Sequence, residues 1–317
     1  MKRVFLLGAL LAPLTASASC GSAFCMVDTQ WSMQGVNTTA GTRFDLRYEY
    51  IKQDQPQTGR DKIGVGEHPR DHDEVSTVNR NYVGTLDHSF NANWGVNVAV
   101  PVVNRDHHHV MNNDDGTQTP ESWNFTELGD ARVLGRYQFT PTESAEHTLA
   151  QWGLYFGAKL PTGSHTVANE AGETAERTLQ PGTGTTDALL GAFVRRALPL
   201  KDMSWFAQAL VQLPLNTRDD YKPGKRLSID TGVRYESSER LALLLQANLL
   251  FRGRDSGDQA EPGDSGGKSL WISPGVGYAV TKDVQAYGFV QLPLYQYVNG
   301  VQLVAERSFV VGVSTRF

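Results

Sequence analysis

The sequence predicts an all-β protein: a transmembrane antiparallel up-and-down β-barrel of about twelve strands, closed by a C-terminal strand that ends in Phe317. Three observations carry that expectation. Hydrophobicity alternates with period two over many segments, the connections between them alternate short and long, and the chain finishes in a strand-like run to an aromatic residue.

Composition narrows the field first. The chain has 317 residues, 40% hydrophobic and 20% charged, with only 2 Cys, which excludes disulfide-dense and wholly disordered classes. Mean hydropathy is -0.36, and beyond the first two dozen positions no apolar run approaches the roughly 18 residues of a membrane helix. A helical bundle is excluded; a barrel is not. A formal charge of -5 gives no reason to expect a nucleic-acid partner.

Lys2 and Arg3 precede an apolar run from Val4 to Leu14, and Ala16-Ser17-Ala18 offers small residues for cleavage, so residues 1–18 read as a secretory signal peptide. Residues 19–41 then form a short periplasmic segment and 42–317 the barrel. Cys20 and Cys25 lie in that segment, in an oxidising compartment that favours a small disulfide loop. A thiolate site for Cu(I) is the competing reading.

The first strand, Arg43-Phe44-Asp45-Leu46-Arg47-Tyr48-Glu49-Tyr50, alternates charged and apolar residues without a fault, which no helix can sort onto one side. Trp94, Val96, Val98, Val100 and Val102 form a second row, and Leu241, Leu243, Leu245, Ala247, Leu249 and Phe251 a third. Twelve strands are expected near 42–52, 75–90, 94–104, 126–139, 148–160, 185–198, 204–215, 227–236, 240–252, 269–280, 283–295 and 305–317. Short turns at 91–93, 237–239 and 281–282 alternate with long polar loops at 53–74, 105–125, 161–184, 216–226 and 253–268. Brief periplasmic turns and extended outer loops are the habit of outer-membrane barrels.

Closure has a physical motive, because each unpaired backbone group facing hydrocarbon is costly. A periplasmic β-sandwich is the rival fold, although its turns need not alternate in length. In the last strand Phe309, Val311, Val313, Thr315 and Phe317 share a face, the kind of closing segment that barrel-assembly machinery recognises. Outer-membrane lipid is then the partner of the apolar rows, and the cell outer membrane the location.

Several stretches carry a family resemblance: Glu127-Leu128-Gly129-Asp130-Ala131, Gly157-Ala158-Lys159-Leu160-Pro161-Thr162-Gly163, Leu179-Gln180-Pro181-Gly182-Thr183-Gly184-Thr185-Thr186-Asp187 and Ser273-Pro274-Gly275-Val276-Gly277-Tyr278. Tyr221-Lys222-Pro223-Gly224 and Gln291-Leu292-Pro293-Leu294-Tyr295 add to it. Together they resemble the outer-membrane transporter family named for the meta-pathway of phenol degradation, over most of the chain from about residue 125 onward. The resemblance implies a barrel in the outer membrane and leaves the cargo open. Locally, Leu160-Pro161-Thr162-Gly163 and Pro181-Gly182-Thr183-Gly184 read as strand punctuation, since Pro cannot donate to a ladder and Gly permits sharp turns.

If the apolar rows meet lipid, the polar rows line the lumen. The candidates are Arg43, Asp45, Arg47, Glu49, Asp87, Asp130, Arg132, Arg136, Lys159, Asp187, Asp230, Arg234 and Arg252. Mixed signs suit structural pairing, whereas arginines left unpaired would bias passage toward anions or polar aromatics. Histidine concentrates in the expected outer loops, with His68 and His72 in the first, His107, His108 and His109 in the second and His165 in the third. Zn or Cu capture by His68, His72, His107, His108 and His109 is one reading and a solvated polar loop the other. No other cofactor is expected.

An outer-membrane lipid-acting enzyme would need a Ser and a base His near the lipid boundary. His88 and His147 lie near expected periplasmic turns, and Gly163-Ser164-His165 sits in a loop, so the chain reads as no enzyme. The expectation is a passive or gated conduit for small solutes, with a structural or adhesive, metal-capturing barrel as the alternative.

Overall fold

A computed structural model of the protein describes Thr29 and residues 40–68, 70–139 and 150–317. The expected signal peptide, Cys20 and Cys25 lie outside those residues. Thirteen β-elements follow: β1 Gly41–Gly59, β2 Asp61–Lys62, β3 His72–Ser89, β4 Trp94–Asn112, β5 Gln118–Leu128, β6 Arg132–Gln138, β7 Gln151–Lys159, β8 Asp187–Ala197, β9 Met203–Pro214, β10 Arg226–Glu236, β11 Leu241–Arg252, β12 Gly267–Ala279 and β13 Val284–Arg316.

Each ring element pairs antiparallel with its neighbours in chain order, and β13 returns to β1, with Arg43 opposite Arg316 and Ile51 opposite Ser308. The sheet therefore has no open edge in the wall, as hydrocarbon demands. Eleven elements make the ring, with β2 and β5 outside it. The 33-residue β13 doubles back at Asn299-Gly300, where Gly300 takes a φ of 55°. Ser308 Oγ donates to Gln291 Oε1 (2.8 Å) and Arg316 N to Asp283 O (2.9 Å) across that hairpin, so the wall is crossed twelve times.

The expected alternation holds along the wall. On β1, Asp45 and Glu49 are buried while Phe44 and Leu46 are exposed; on β11, Ala242, Leu244 and Gln246 face in while Leu243 and Leu245 face out. A soluble sandwich would not expose such rows. Trp94, Trp152, Tyr235 and Tyr278 stand exposed at the short-turn end, with Trp152 stacked on Phe139 at 3.8 Å, and form one aromatic girdle. Tyr48 packs against Tyr82, and Tyr50 against Phe309, further up the wall. Above those rings the outward face turns polar, with Lys52 paired to Asp54, then Arg80, Asn104, Asp106 and His108. That switch marks where lipid ends.

The structure corrects the strand limits on this side. Residues 53–59, 105–112 and 118–125, expected in loops, belong to β1, β4 and β5, which rise above the apolar belt as a collar. Both faces of the β1 and β4 extensions are largely polar, and β5 keeps only Trp123 and Phe125 as an apolar inner pair, so alternation of hydrophobicity faded there while the ladder continued. The expected strand 126–139 is interrupted at Gly129-Asp130-Ala131, leaving β5 and β6 as two pieces that both pair with β4. The histidine triplet consequently sits in a strand rather than a loop.

Candidate functional site

The lumen candidates of the polar rows all lie on the inward face, and most are held. Arg47 Nε donates to Glu49 (2.7 Å) and its Nη1 to Thr29 Oγ1 (3.1 Å). Tyr287 OH donates to Asp45 (2.9 Å), Asn97 Nδ2 to Asp87 (3.4 Å), and Gln208 and Asn248 donate to Asp230 (2.9 and 2.8 Å). Arg136 donates to Ser89 (2.6 Å), Arg234 to Glu236 (2.6 Å) and Arg252 to Asp255 (2.7 Å). Arg43 and Arg132 differ: among the described residues neither has an ion pair or side-chain hydrogen bond. Arg226, which the sequence reading passed over, shares that condition. Arg132 lies within electrostatic reach of Arg47, and Arg226 within reach of both Arg132 and Arg252, so the four form a belt of arginines, with Glu49, Asp130, Asp187 and Asp255 in the same field. Beside it a cavity of about 160 Å³ is lined by Arg226, Arg252, Trp271, Gln53, Gln291 and Gln302.

The punctuation motifs do more than end strands. Lys159 Nζ is buried between Asp130 (2.8 Å) and Asp187 (3.4 Å), and also donates to the Thr183 hydroxyl. Asp130 accepts Gly163 N (3.1 Å) and Thr183 N (2.9 Å), while Thr162 Oγ1 donates to Gly129 O (2.9 Å). A Cβ on Gly163 would stand 2.8 Å from Gly182 Cα, so the two glycines let both ends of segment 160–186 pass side by side. One buried clasp thus anchors both ends of that loop. A second joins the next two loops, where Asp255 accepts from Tyr221 OH (3.0 Å), Gly224 N (2.7 Å) and Arg252.

Between its anchors, segment 160–186 turns inward. Ala175 and Leu179 pack with Val103, Trp123, Phe125 and Leu303, side chains of three different ring or collar strands. Arg105 donates to Leu179 O, and Trp123 Nε1 to Glu173 O (2.9 Å). Glu176 is carried with them to the collar. There His72 Nε2 lies 3.1 Å from Glu176 Oε1 and 3.7 Å from Glu74 Oε1, and His109 Nε2 is 2.8 Å from Glu121 Oε2.

Local backbone geometry explains why these groups meet. Period two sends His107 and His109 inward and His108 outward. A bulge between Glu74 and Ser76 shifts the alternation of β3 by one residue, so His72 and Glu74 face in although Thr77 and Asn79 do too. The structure brings together His72, His107 and His109; exposed His68 and outward His108 stand apart, and His165 pairs with Asp219 (3.0 Å). Glu74, Glu121 and Glu176 were not singled out from sequence. Burial raises Glu176 to about 7 against the pull of His72, and raises neighbouring Glu261 to about 9, with the charge of Glu176 adding to the rise.

Among solved structures, the COG4313 outer membrane channel from Pseudomonas putida F1 has a TM-score of 0.66, covering 92% of this chain and 100% of that one at 12% identity. The NanC porin follows at 0.45 (11% identity; 86% and 100% covered), and the translocator domain of autotransporter NalP from Neisseria meningitidis at 0.44 (12%; 90% and 91%). No curated protein sequence matches the chain. The family described as "Putative MetA-pathway of phenol degradation" matches over residues 72–300, which takes in the clasps, the collar histidines and most of the wall. Through that match the chain belongs to this family, and its fold is the closed barrel of the bacterial outer membrane.

Proposed function

We propose that the protein is a passive outer-membrane channel for small anionic solutes, aromatic carboxylates among them. The observation that carries this reading is the belt of arginines: Arg132 and Arg226 lie on the inward face with no ion pair among the described residues. In this reading a guanidinium without a partner of its own attracts an anion entering a narrow, low-dielectric passage. The adjoining Trp271 and glutamines offer a flat ring surface and neutral hydrogen-bond groups to an aromatic solute. A solved barrel of the same fold is described as a channel, which supports the reading. Transport is downhill and non-enzymatic in this proposal, with the inward loop as gate.

The packing of Leu179 and its neighbours favours a second reading, a sealed structural or adhesive barrel that works through its collar. Planar-bilayer recording separates the two. Purified protein should give discrete conductance with anion preference, and the double substitution Arg132→Ala with Arg226→Ala should reduce that preference without changing the heat-modifiable gel shift. A bilayer that stays sealed under all voltages supports the structural reading instead.

A further inference from the structure

The collar holds a set of ligands that neither the fold nor the family accounts for. We infer that His72, His109 and Glu176 form a site for a divalent transition metal that fastens segment 160–186 to the barrel wall, with Glu74 beside His72. One ligand atom each from His72, His109 and Glu176 already lies within 4.8 Å of the others. The 3.1 Å from His72 Nε2 to Glu176 Oε1 is close to the edge of about 3.4 Å between ligand atoms that share a tetrahedral zinc with bonds of about 2.0–2.1 Å.

A second observation points the same way. His109 is 4% exposed, its Nε2 is engaged by Glu121, and its Nδ1 is buried without a hydrogen-bond partner. With Nε2–H donating to a carboxylate, Nδ1 carries the lone pair, which is the arrangement by which an outer carboxylate orients a ligating imidazole. Burying that lone pair unused is costly unless a cation meets it. Two imidazoles also select against Ca²⁺ and Mg²⁺, which prefer oxygen ligands, and favour zinc or copper.

Four carboxyl groups, Glu74, Glu121, Glu176 and Glu261, converge on these imidazoles, while Arg70 bonds Asp264 (2.6 Å) and Arg105 bonds Asn79 and Leu179 O. The bulge that re-aims His72 and Glu74 is a feature often found beside functional sites. Because the metal would join a loop residue to two wall strands, occupancy would hold the gate shut; this consequence, unlike the site itself, rests on the channel reading.

The test is Zn²⁺ titration of the folded, detergent-solubilised protein by calorimetry, after chelator treatment. One saturable site is expected, weakened at least about tenfold by Glu176→Gln and also weakened by Glu121→Gln, with His108→Ala unchanged. Glu176 lies on a loop, so its variant tests the site even where His72→Ala disturbs barrel assembly; an unaltered gel shift confirms folding. Absence of saturable binding, or equal affinity in wild type and Glu176→Gln, overturns the assignment. In bilayers, Zn²⁺ should lower the conductance of wild type and not of Glu176→Gln. A barrel that never conducts removes the channel reading, while the calorimetry still decides the metal.

Discussion

The lower wall and the outer collar are made from the same strands and obey different rules. Below Tyr50 and Tyr82, β1 and β3 present rings and aliphatic groups outward, and inward lie charges such as Arg43, Asp45, Arg47 and Glu49. Above that level the outward groups are Lys52, Asp54 and Arg80, and the inward ones are buried imidazoles, carboxylates and amides. The contrast teaches that surroundings rather than backbone set what a face carries: lipid demands apolar groups outward along the lower wall, whereas the collar is polar outside and joins its inward charges by hydrogen bonds and ion pairs.

The sharpest way to break this contrast is at the clasp. Lys159→Met leaves Asp130 and Asp187 buried against each other, and should cost about 3–5 kcal/mol. The loss should appear as protease cleavage within segment 160–186 while the lower barrel keeps its gel shift. Collapse of both regions together would mean they are one cooperative unit. Next comes a matched pair on the outer face. Leu245→Arg, in the apolar row of β11, should destabilise by about 2–4 kcal/mol in lipid unfolding experiments. Asn104→Arg, on the polar outward face of β4, should stay within about 0.5 kcal/mol. Equal costs would put the lipid boundary elsewhere. A smaller loss than that of Leu245→Arg is expected for Gly163→Ala, whose Cβ meets Gly182 and Gly129 backbone at 2.8 and 2.9 Å and should cost about 1–3 kcal/mol, read as faster hydrogen exchange confined to the loop.

The wall was legible because lipid enforces a signal. Leu243, Leu245 and Phe251, or Phe44 and Leu46, must be apolar at every second place, and the run to Phe317 marks closure. The collar lacked such a signal, since Asn104, Asp106 and His108 face water while Arg105, His107 and His109 face a polar interior; with both faces polar, a strand reads as a loop. His107 and His109 are two apart, and that spacing alone could have indicated a shared face. The bulge at Glu74–Ser76 could not be read from residue types, and neither could the arrival of Glu176 from about 70 residues beyond His109. Val167, Ala175 and Leu179, apolar groups within a polar segment, are the sequence signal that the loop turns inward. Similarly, the glycine and proline motifs were legible as turns, and their convergence on Lys159 was not.

Strand length gives the rim a lopsided profile. β1, β3 and β4 run 19, 18 and 19 residues, while β7 and β8, which bear the inward segment, run 9 and 11. The segment therefore springs from the low side of the parapet and rests against the high side, both of its feet pinned together at Asp130 and Lys159. If the segment is the gate proposed above, releasing the contacts at its far tip would clear the opening, and the pinned feet would return it to the same seat.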